Sequence, residues 1–210
     1  MARKRNTGTE AKIKAAFTQL LKEKGFDAMT VSDIARIAGI NRGTFYMHYM
    51  DKYDLKQQLL DNAIYDLRRI LSARPAQPVP GASASPDAPA EPRQRASVLD
   101  VITPQATLQA LLYIRADAAF FDAVSQSGQN MQMYNETKET LKKLIEERAQ
   151  AMGIRPSLGG IPLEYSGEIV VSGITSLIWM WVRRGFKESP EEITKYIEAS
   201  KRMSPMALMR

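Results

Sequence analysis

The chain contains no cysteine and only one histidine. Without thiols it can form no disulfide, no Cys-ligated zinc site and no thiol nucleophile. The single histidine, His48, has no second metal ligand at a suitable spacing, and the sequence contains neither a nucleophile elbow nor a phosphate-binding loop. We therefore expect a protein that is not an enzyme and that uses no metal and no cofactor.

Long apolar runs are also missing. The longest, Ile169 to Val182, has 14 residues and is interrupted by serine and glycine, whereas a helix needs about 20 apolar residues to cross a bilayer. The basic N-terminus is not followed by the apolar segment of a secretory signal. These absences predict a soluble, cytoplasmic protein with no membrane partner.

Strand-type alternation and internal repeats are absent, and the apolar residues recur at helical spacing instead. We expect an all-α fold of about nine helices. The exception is a stretch that holds six of the eleven prolines and predicts a flexible loop. The predicted organisation is a DNA-binding domain over 1–51, a connecting helix over 52–73, a Pro/Ala-rich loop over 74–96 and a helical ligand-binding and dimerisation domain over 97–203.

The positive charge is concentrated in one part of the chain. Residues 1–74 hold 14 basic and 8 acidic side chains, whereas the remaining residues hold 15 of each. A net charge of +6 confined to the first third indicates a polyanionic partner for that part, although a generic solvated face would look similar.

Residues 30–52 contain the signals of two short helices joined by a tight turn. Thr30 and Asp33 form a variant of the capping box, which begins a helix. Gly39 suits the left-handed backbone of a sharp turn. Asn41 is a good N-cap for a second helix over 42–49. This arrangement predicts a helix-turn-helix, a structure that reads the major groove of DNA.

The second of these helices has an apolar side and a polar side. Phe45 and Tyr49 point inward at a spacing of four residues. Arg42 offers a fork of donors that fits guanine O6 and N7, worth about 1–3 kcal/mol of discrimination. The outward residues are Arg42, Gly43, Thr44, Tyr46, Met47 and His48.

The same residues carry a family resemblance. The run T-x-S-D-I-A-R-x-A-G-I-x-R-G-T-F-Y-x-H-Y-x-D-K-x-D-L resembles the N-terminal domain of the tetracycline-repressor (TetR) family, and the likeness covers residues 8–65. The resemblance implies that DNA phosphates are bound by Thr30, Tyr46, His48 and Lys52. It places Asn41, Arg42, Gly43 and Thr44 nearest the base edges.

The C-terminal part is similar to another region of the family. The run W-V-R-R-G-F-K-E-S-P-E-E-I-T-K-Y-I resembles the subgroup of dihydroxyacetone-kinase regulators. A helix over 163–185 that is apolar on nearly every side is either central to a core or shared with a second molecule. The resemblance implies the second, a homodimer, and the expected interface residues are Ile174, Leu177, Trp181, Ile193, Tyr196 and Ile197.

The resemblance further implies a ligand-responsive repressor that binds a palindromic operator in double-stranded DNA as a homodimer. The alternative is a transcriptional co-activator or protein-interaction module of the dihydroxyacetone-kinase-regulator type. The effector is an unknown small molecule. Its candidate pocket residues, which helical spacing equally assigns to an ordinary core, are Tyr113, Phe120, Phe121, Met131, Tyr134 and Met180.

Overall fold

The structure is a computed structural model that describes residues 7–72, 102–126, 130–151, 157–158 and 161–202. The predicted loop over 74–96 lies outside the described residues. Within the described part the fold is all-α, as expected. Its nine helices are α1 (Thr7–Ala28), α2 (Val31–Ala38), α3 (Arg42–Tyr46), α4 (Lys52–Ser72), α5 (Pro104–Ala116), α6 (Ala118–Gln126), α7 (Asn130–Ala151), α8 (Leu163–Arg183) and α9 (Pro190–Arg202).

One small element was not expected from the sequence. Two strands of two residues each, β1 (Ser157–Leu158) and β2 (Ile161–Pro162), pair antiparallel just before α8. Two residues are too few to show an alternating apolar pattern, so sequence periodicity could not have indicated them.

Helix α1 forms the base of the N-terminal part. Ile13, Phe17 and Leu20 are almost completely buried along one face. The regular helix is interrupted at Gly25, whose φ of 77° lies in the left-handed region. The break turns Phe26 back against Phe17, with ring centroids 6.3 Å apart.

Helices α2 and α3 form the predicted pair. The Thr30 side chain accepts from the backbone N–H of Asp33, and the Asp33 carboxylate accepts from the backbone N–H of Thr30, which confirms the capping box. Gly39 ends α2 with φ 64°. Asn41 caps α3 through its side chain. Helix α3 ends at Tyr46, three residues earlier than predicted, and a turn carries the chain on to Tyr49.

The remaining helices pack around α4 and α8. Helix α4 lies against α5 and α7, α8 lies against α6, α7 and α9, and α1 packs on α6. The buried side chains form one continuous cluster that extends from Ile13 in α1 to Ile197 in α9. No helix in the described ranges is both long enough and apolar enough for a membrane span.

The helical chain that begins at residue 104 is interrupted near its middle. Asp117 leaves the helical conformation, with φ −117° and ψ 41°, and separates α5 from α6. Its carboxylate forms an ion pair with Lys14 of α1. A second ion pair joins α1 to α6, because Lys22 Nζ lies 3.0 Å from a carboxylate oxygen of Asp122. The interruption therefore creates a separate helix that is fixed to α1.

Candidate nucleic-acid interface

Helix α3 is anchored by one side chain and exposes most of the others. Phe45 is 0% exposed and packs edge-on against Tyr46, with ring centroids 5.6 Å apart. Tyr46 and Met47 are 49% and 63% exposed. Arg42 and Gly43 are exposed as well. The short helix thus presents its polar side outward from a fixed anchor, as the sequence predicted.

Arg42 and Tyr46 form a pair on this exposed face. An Nη atom of Arg42 donates to the Tyr46 hydroxyl at 3.3 Å. The centre of the guanidinium lies 5.9 Å from the centroid of the Tyr46 ring, a cation–π contact. Because the residues lie four apart on one helix, the ring restricts the orientations of the long arginine side chain before any DNA is present.

The side-chain oxygen of Asn41 is occupied by hydrogen bonds from the first turn of α3. This oxygen accepts from the Thr44 backbone N–H at 3.0 Å and from the Thr44 hydroxyl at 3.1 Å. A base contact made by Asn41 would therefore come from its amide nitrogen, which is a donor.

The predicted phosphate ligands have partners within the protein. Thr30 donates its hydroxyl to Asp33 at 2.7 Å, and Lys24 donates to the same carboxylate oxygen at 2.7 Å. These bonds, that of Lys24 foremost, hold the pKa of Asp33 well below its usual range. His48 Nδ1 lies 3.5 Å from a carboxylate oxygen of Glu10 in α1. The phosphate roles of Thr30 and His48 stay predictions.

Lys52 has a structural role that the sequence did not reveal. Its ammonium donates to the carbonyl oxygens of Phe26, Asp27 and Met29, at 3.1, 3.0 and 3.1 Å. An ammonium has three protons, and these three bonds use them all. Lys52 therefore ties the start of α4 to the chain that links α1 and α2. The predicted phosphate contact of Lys52 stays a prediction, and it would require one of these three bonds to break.

Replacing Lys52 with methionine is expected to destabilise the folded state by about 1–3 kcal/mol. The substitution keeps a long apolar side chain but removes three charge-assisted hydrogen bonds to partly buried carbonyls. Urea denaturation followed by circular dichroism measures the loss. Lys12→Met is the matched control, because Lys12 is exposed on α1. Equal stability of the two variants would contradict the structural role.

The start of α4 is capped by Asp51. One oxygen of Asp51 accepts from the backbone N–H groups of Tyr53 and Asp54, each at 2.8 Å. Asp54 in turn accepts from Gln58 and from the Met50 backbone N–H, and these bonds lower its pKa. The caps hold α4 rigidly next to α3.

Two family descriptions match this chain. "Bacterial regulatory proteins, tetR family" covers residues 13–59, which include α2, α3 and the start of α4. "Transcriptional regulator C-terminal region", a region of TetR proteins, covers residues 103–200, from the N-cap of α5 into α9. The chain belongs to the TetR family.

Curated relatives match a limited part of the chain. An uncharacterised HTH-type transcriptional regulator of Haemophilus influenzae is 38% identical over 61 residues, 29% of this chain and 30% of the relative. The HTH-type transcriptional repressor BepR of Brucella suis is 34% identical over 63 residues, 30% of each chain. The matches thus span under a third of the length of these relatives.

Solved structures resemble this TetR chain over almost its whole length. A putative TetR-family regulator from Syntrophomonas wolfei has a TM-score of 0.63 at 15% identity and covers 97% of both chains. The dihydroxyacetone kinase operon activator DhaS has a TM-score of 0.57 at 17% identity, over 92% of this chain and 93% of DhaS. At these identities the likeness concerns the fold.

The TetR chain contains one sizeable cavity among its described residues, and it lies between α4, α5, α7 and α8. Of the six predicted pocket residues, only Phe121 lines it. Phe120 is buried against α1, where the Lys14 ammonium lies 4.6 Å from its ring. Tyr113 donates to Asp66 at 3.3 Å, and burial with this neighbouring carboxylate raises its pKa to about 12.

The other three predicted pocket residues face elsewhere. Met131 and Met180 are mostly exposed. The Tyr134 hydroxyl lies 3.2 Å from the Ser176 hydroxyl, and its ring meets Trp179 edge-on. Five of the six residues thus lie outside the lining of this cavity, because the type of a side chain does not reveal which side of a helix faces a cavity. Their assignment to an effector site stays a prediction.

The predicted dimer residues differ in their burial within a single chain. Ile174, Trp181, Ile193 and Ile197 are at most 6% exposed within a single chain, so they belong to its own core. Leu177 is half-buried, and Tyr196 is 50% exposed. The apolar positions of α8 and α9 thus divide into a buried side and an exposed side, and the exposed side is the one available to a second molecule.

Proposed function

We propose that this chain is a DNA-binding transcriptional regulator that acts as a ligand-responsive repressor on a palindromic operator. The observation that carries the proposal is the exposed pair of Arg42 and Tyr46 on a helix anchored by the buried Phe45. The orientation of this guanidinium is already restricted, and it lies on a helix that fits the major groove. Both features suit hydrogen bonding to O6 and N7 of guanine. Thr44 and Gly43 lie beside it and complete the proposed base-reading surface.

We propose that the chain works as a homodimer, as TetR-family regulators typically do. The proposed interface, called here the α8–α9 stripe, comprises Tyr165, Ile169, Gly173, Ser176, Met180 and Tyr196, all of them exposed. The five α8 positions recur at three- and four-residue spacing, so they share one face of the helix. An exposed apolar row of this kind suits a self-complementary contact about a twofold axis.

The dimer supplies the operator spacing. One short helix makes too few base contacts for specific binding, whereas two recognition helices held about 34–36 Å apart read two half-sites of a palindrome. A ligand that prefers a subunit arrangement with different spacing would lower operator affinity by its differential affinity for the two arrangements. A regulator of this class works beside the bacterial chromosome, which places it in the cytoplasm.

The second candidate function is activation rather than repression. The fold likeness to DhaS, described as an operon activator, favours it. Both functions need the same DNA contacts, so they are separated by the direction in which deletion of the coding sequence changes expression of the neighbouring genes. Increased expression supports a repressor, and decreased expression supports an activator.

Replacing Arg42 with alanine is expected to reduce operator affinity by about 1–3 kcal/mol for each half-site, because a bidentate guanine contact is lost. Binding to unrelated DNA is expected to fall much less. Electrophoretic retardation of the DNA upstream of the coding sequence, at several salt concentrations, measures both quantities. Arg69→Ala on α4 is the control, because it removes one exposed charge away from α3. A parallel loss on specific and unrelated DNA would show that Arg42 serves as a phosphate ligand only.

A further inference from the structure

The cavity between α4, α5, α7 and α8 has a lining of unusual chemistry. Every described lining residue is aliphatic, aromatic or threonine, and none carries a charge. Leu67 of α4, Ile114 of α5, Leu141 of α7 and Ile178 of α8 form opposite walls. A charged ligand placed here would lose its hydration without gaining a counter-ion, which is strongly unfavourable.

Four threonines supply the hydroxyl groups of the lining, and two of these hydroxyls already donate their protons. The Thr175 hydroxyl donates to the Val171 carbonyl at 2.8 Å, and the Thr107 hydroxyl donates to the Thr103 carbonyl at 3.2 Å. The oxygens of these hydroxyls keep acceptor capacity on the cavity side of their helices. The cavity therefore tolerates one hydroxyl on a ligand, since such a group can donate to threonine.

Ionic groups on the helices around the cavity are paired with one another and are not part of its lining. Asp66 accepts from Tyr113 and lies 3.4 Å from Arg69. Arg68 of α4 pairs with Glu147 of α7 at 3.0 Å. Lys138 of α7 pairs with Glu168 of α8. These pairs join the helices that surround the cavity and direct their charges to one another rather than to a ligand.

The size of the cavity limits the ligand further. The cavity has a volume of about 70 Å³. A larger space of about 860 Å³ between the surrounding atoms includes the mouth and open solvent. An apolar cavity of about 150 Å³ in another protein holds one benzene ring, so the space here, which also opens at its mouth, is of the order of a single ring. That space suits a compact ligand, such as a single substituted ring, better than a long chain or a fused ring system.

We propose that the effector of this chain is a compact, uncharged and largely apolar molecule, of the class of a monocyclic aromatic alcohol. The inference rests on the proposed function, because it assigns a ligand class to the regulatory part of the same regulator. Charged metabolites, including carboxylates, phosphates and amines of the same size, are excluded by the lining.

Three probes of similar size and different charge test the proposal on the full chain. Benzyl alcohol is neutral, benzoate is an anion and benzylamine is a cation at pH 7. Titration calorimetry and thermal shift are expected to show binding of benzyl alcohol, with a Tm that rises with its concentration. Benzoate and benzylamine are expected to bind at least tenfold more weakly. Absence of benzyl alcohol binding, or equal or tighter binding of either ion, would overturn the proposal.

A matched pair of variants locates the binding. Ala110 of α5 lines the cavity, whereas Ala116 at the end of the same helix is exposed. Ala110→Leu fills the cavity and is expected to abolish the Tm shift, and Ala116→Leu is expected to preserve it. Undiminished binding by folded Ala110→Leu would place the ligand elsewhere and overturn the proposal.

Tryptophan fluorescence gives a second readout that does not depend on folding of the filled variant. The chain has two tryptophans. Trp179 lines the cavity, whereas Trp181 is 1% exposed and packs on Phe186. Benzyl alcohol is expected to change the emission of the natural chain and not that of Trp179→Phe. A response that persists in Trp179→Phe would argue against the cavity.

The ligand result and the DNA result can fail separately. Operator retardation is measured on the same preparations without any probe. Loss of specific retardation by the unliganded chain would overturn the proposed function and leave the measured ligand preference standing. A preference for charged probes in a chain that still retards its operator would overturn only the ligand class.

Discussion

Replacement of Ile169 with glutamate is expected to produce a folded monomer that binds its operator at least 100-fold more weakly. Ile169 is 62% exposed in the single chain and occupies the middle of the α8–α9 stripe. Its side chain contributes little to the core, so a charge there costs little in folding. In a twofold interface the same change buries two carboxylates that have no cationic partner.

The size of the effect follows from the dimer. When two DNA-binding units are joined, the second contact forms at high effective concentration, and this typically raises affinity by about 10²–10⁴. Light scattering after size exclusion measures the mass, and retardation of upstream DNA measures the affinity. Leu112→Glu on α5 is the control, because Leu112 is an exposed leucine outside the stripe. A dimeric Ile169→Glu chain would show that another surface holds the subunits together.

Replacement of Phe45 with alanine is expected to cost about 3–5 kcal/mol of folding free energy, as deletion of a fully buried aromatic ring does. Phe45 is the anchor of α3 and contacts the rings of Tyr46 and Tyr49. Since small proteins have a total stability of about 5–15 kcal/mol, the loss is a large part of the whole. Specific DNA binding is expected to disappear with it, because the helix loses its only deep attachment.

Urea denaturation separates this effect from a loss of DNA contacts. Met47→Ala is the control, since Met47 lies two residues away and is 63% exposed. It is expected to change the unfolding free energy by less than about 0.5 kcal/mol. If Phe45→Ala unfolds at the same urea concentration as Met47→Ala, α3 is held by other contacts and the anchor role is wrong.

Features encoded within a few residues could be predicted from the sequence. The capping box at Thr30, the left-handed Gly39 and the N-cap at Asn41 each depend on neighbours three or four positions away. The apolar stripe of α1 and the break at Gly25 are equally local. Hence the helix-turn-helix and most helix ends were correct.

Features that depend on distant partners could not be predicted in this way. The carbonyls bound by Lys52 lie 23 to 26 residues earlier in the chain. Asp117 meets Lys14 across 103 positions. Helix α8 is apolar on nearly every side, so periodicity could not tell Trp181, which is buried, from Met180, which is exposed.

The attachment of α1 to α6 limits how this protein can be recombined with others. A chimera that joins residues 1–51 to the body of another regulator would separate Lys14 and Lys22 from Asp117 and Asp122. It would also leave the Lys14 ammonium of α1 without the Phe120 ring on which it packs. The N-terminal domain would therefore fold poorly when joined to another regulator, unless that regulator carried an equivalent of α6. A chimera whose junction is chosen from the sequence boundary alone would fail.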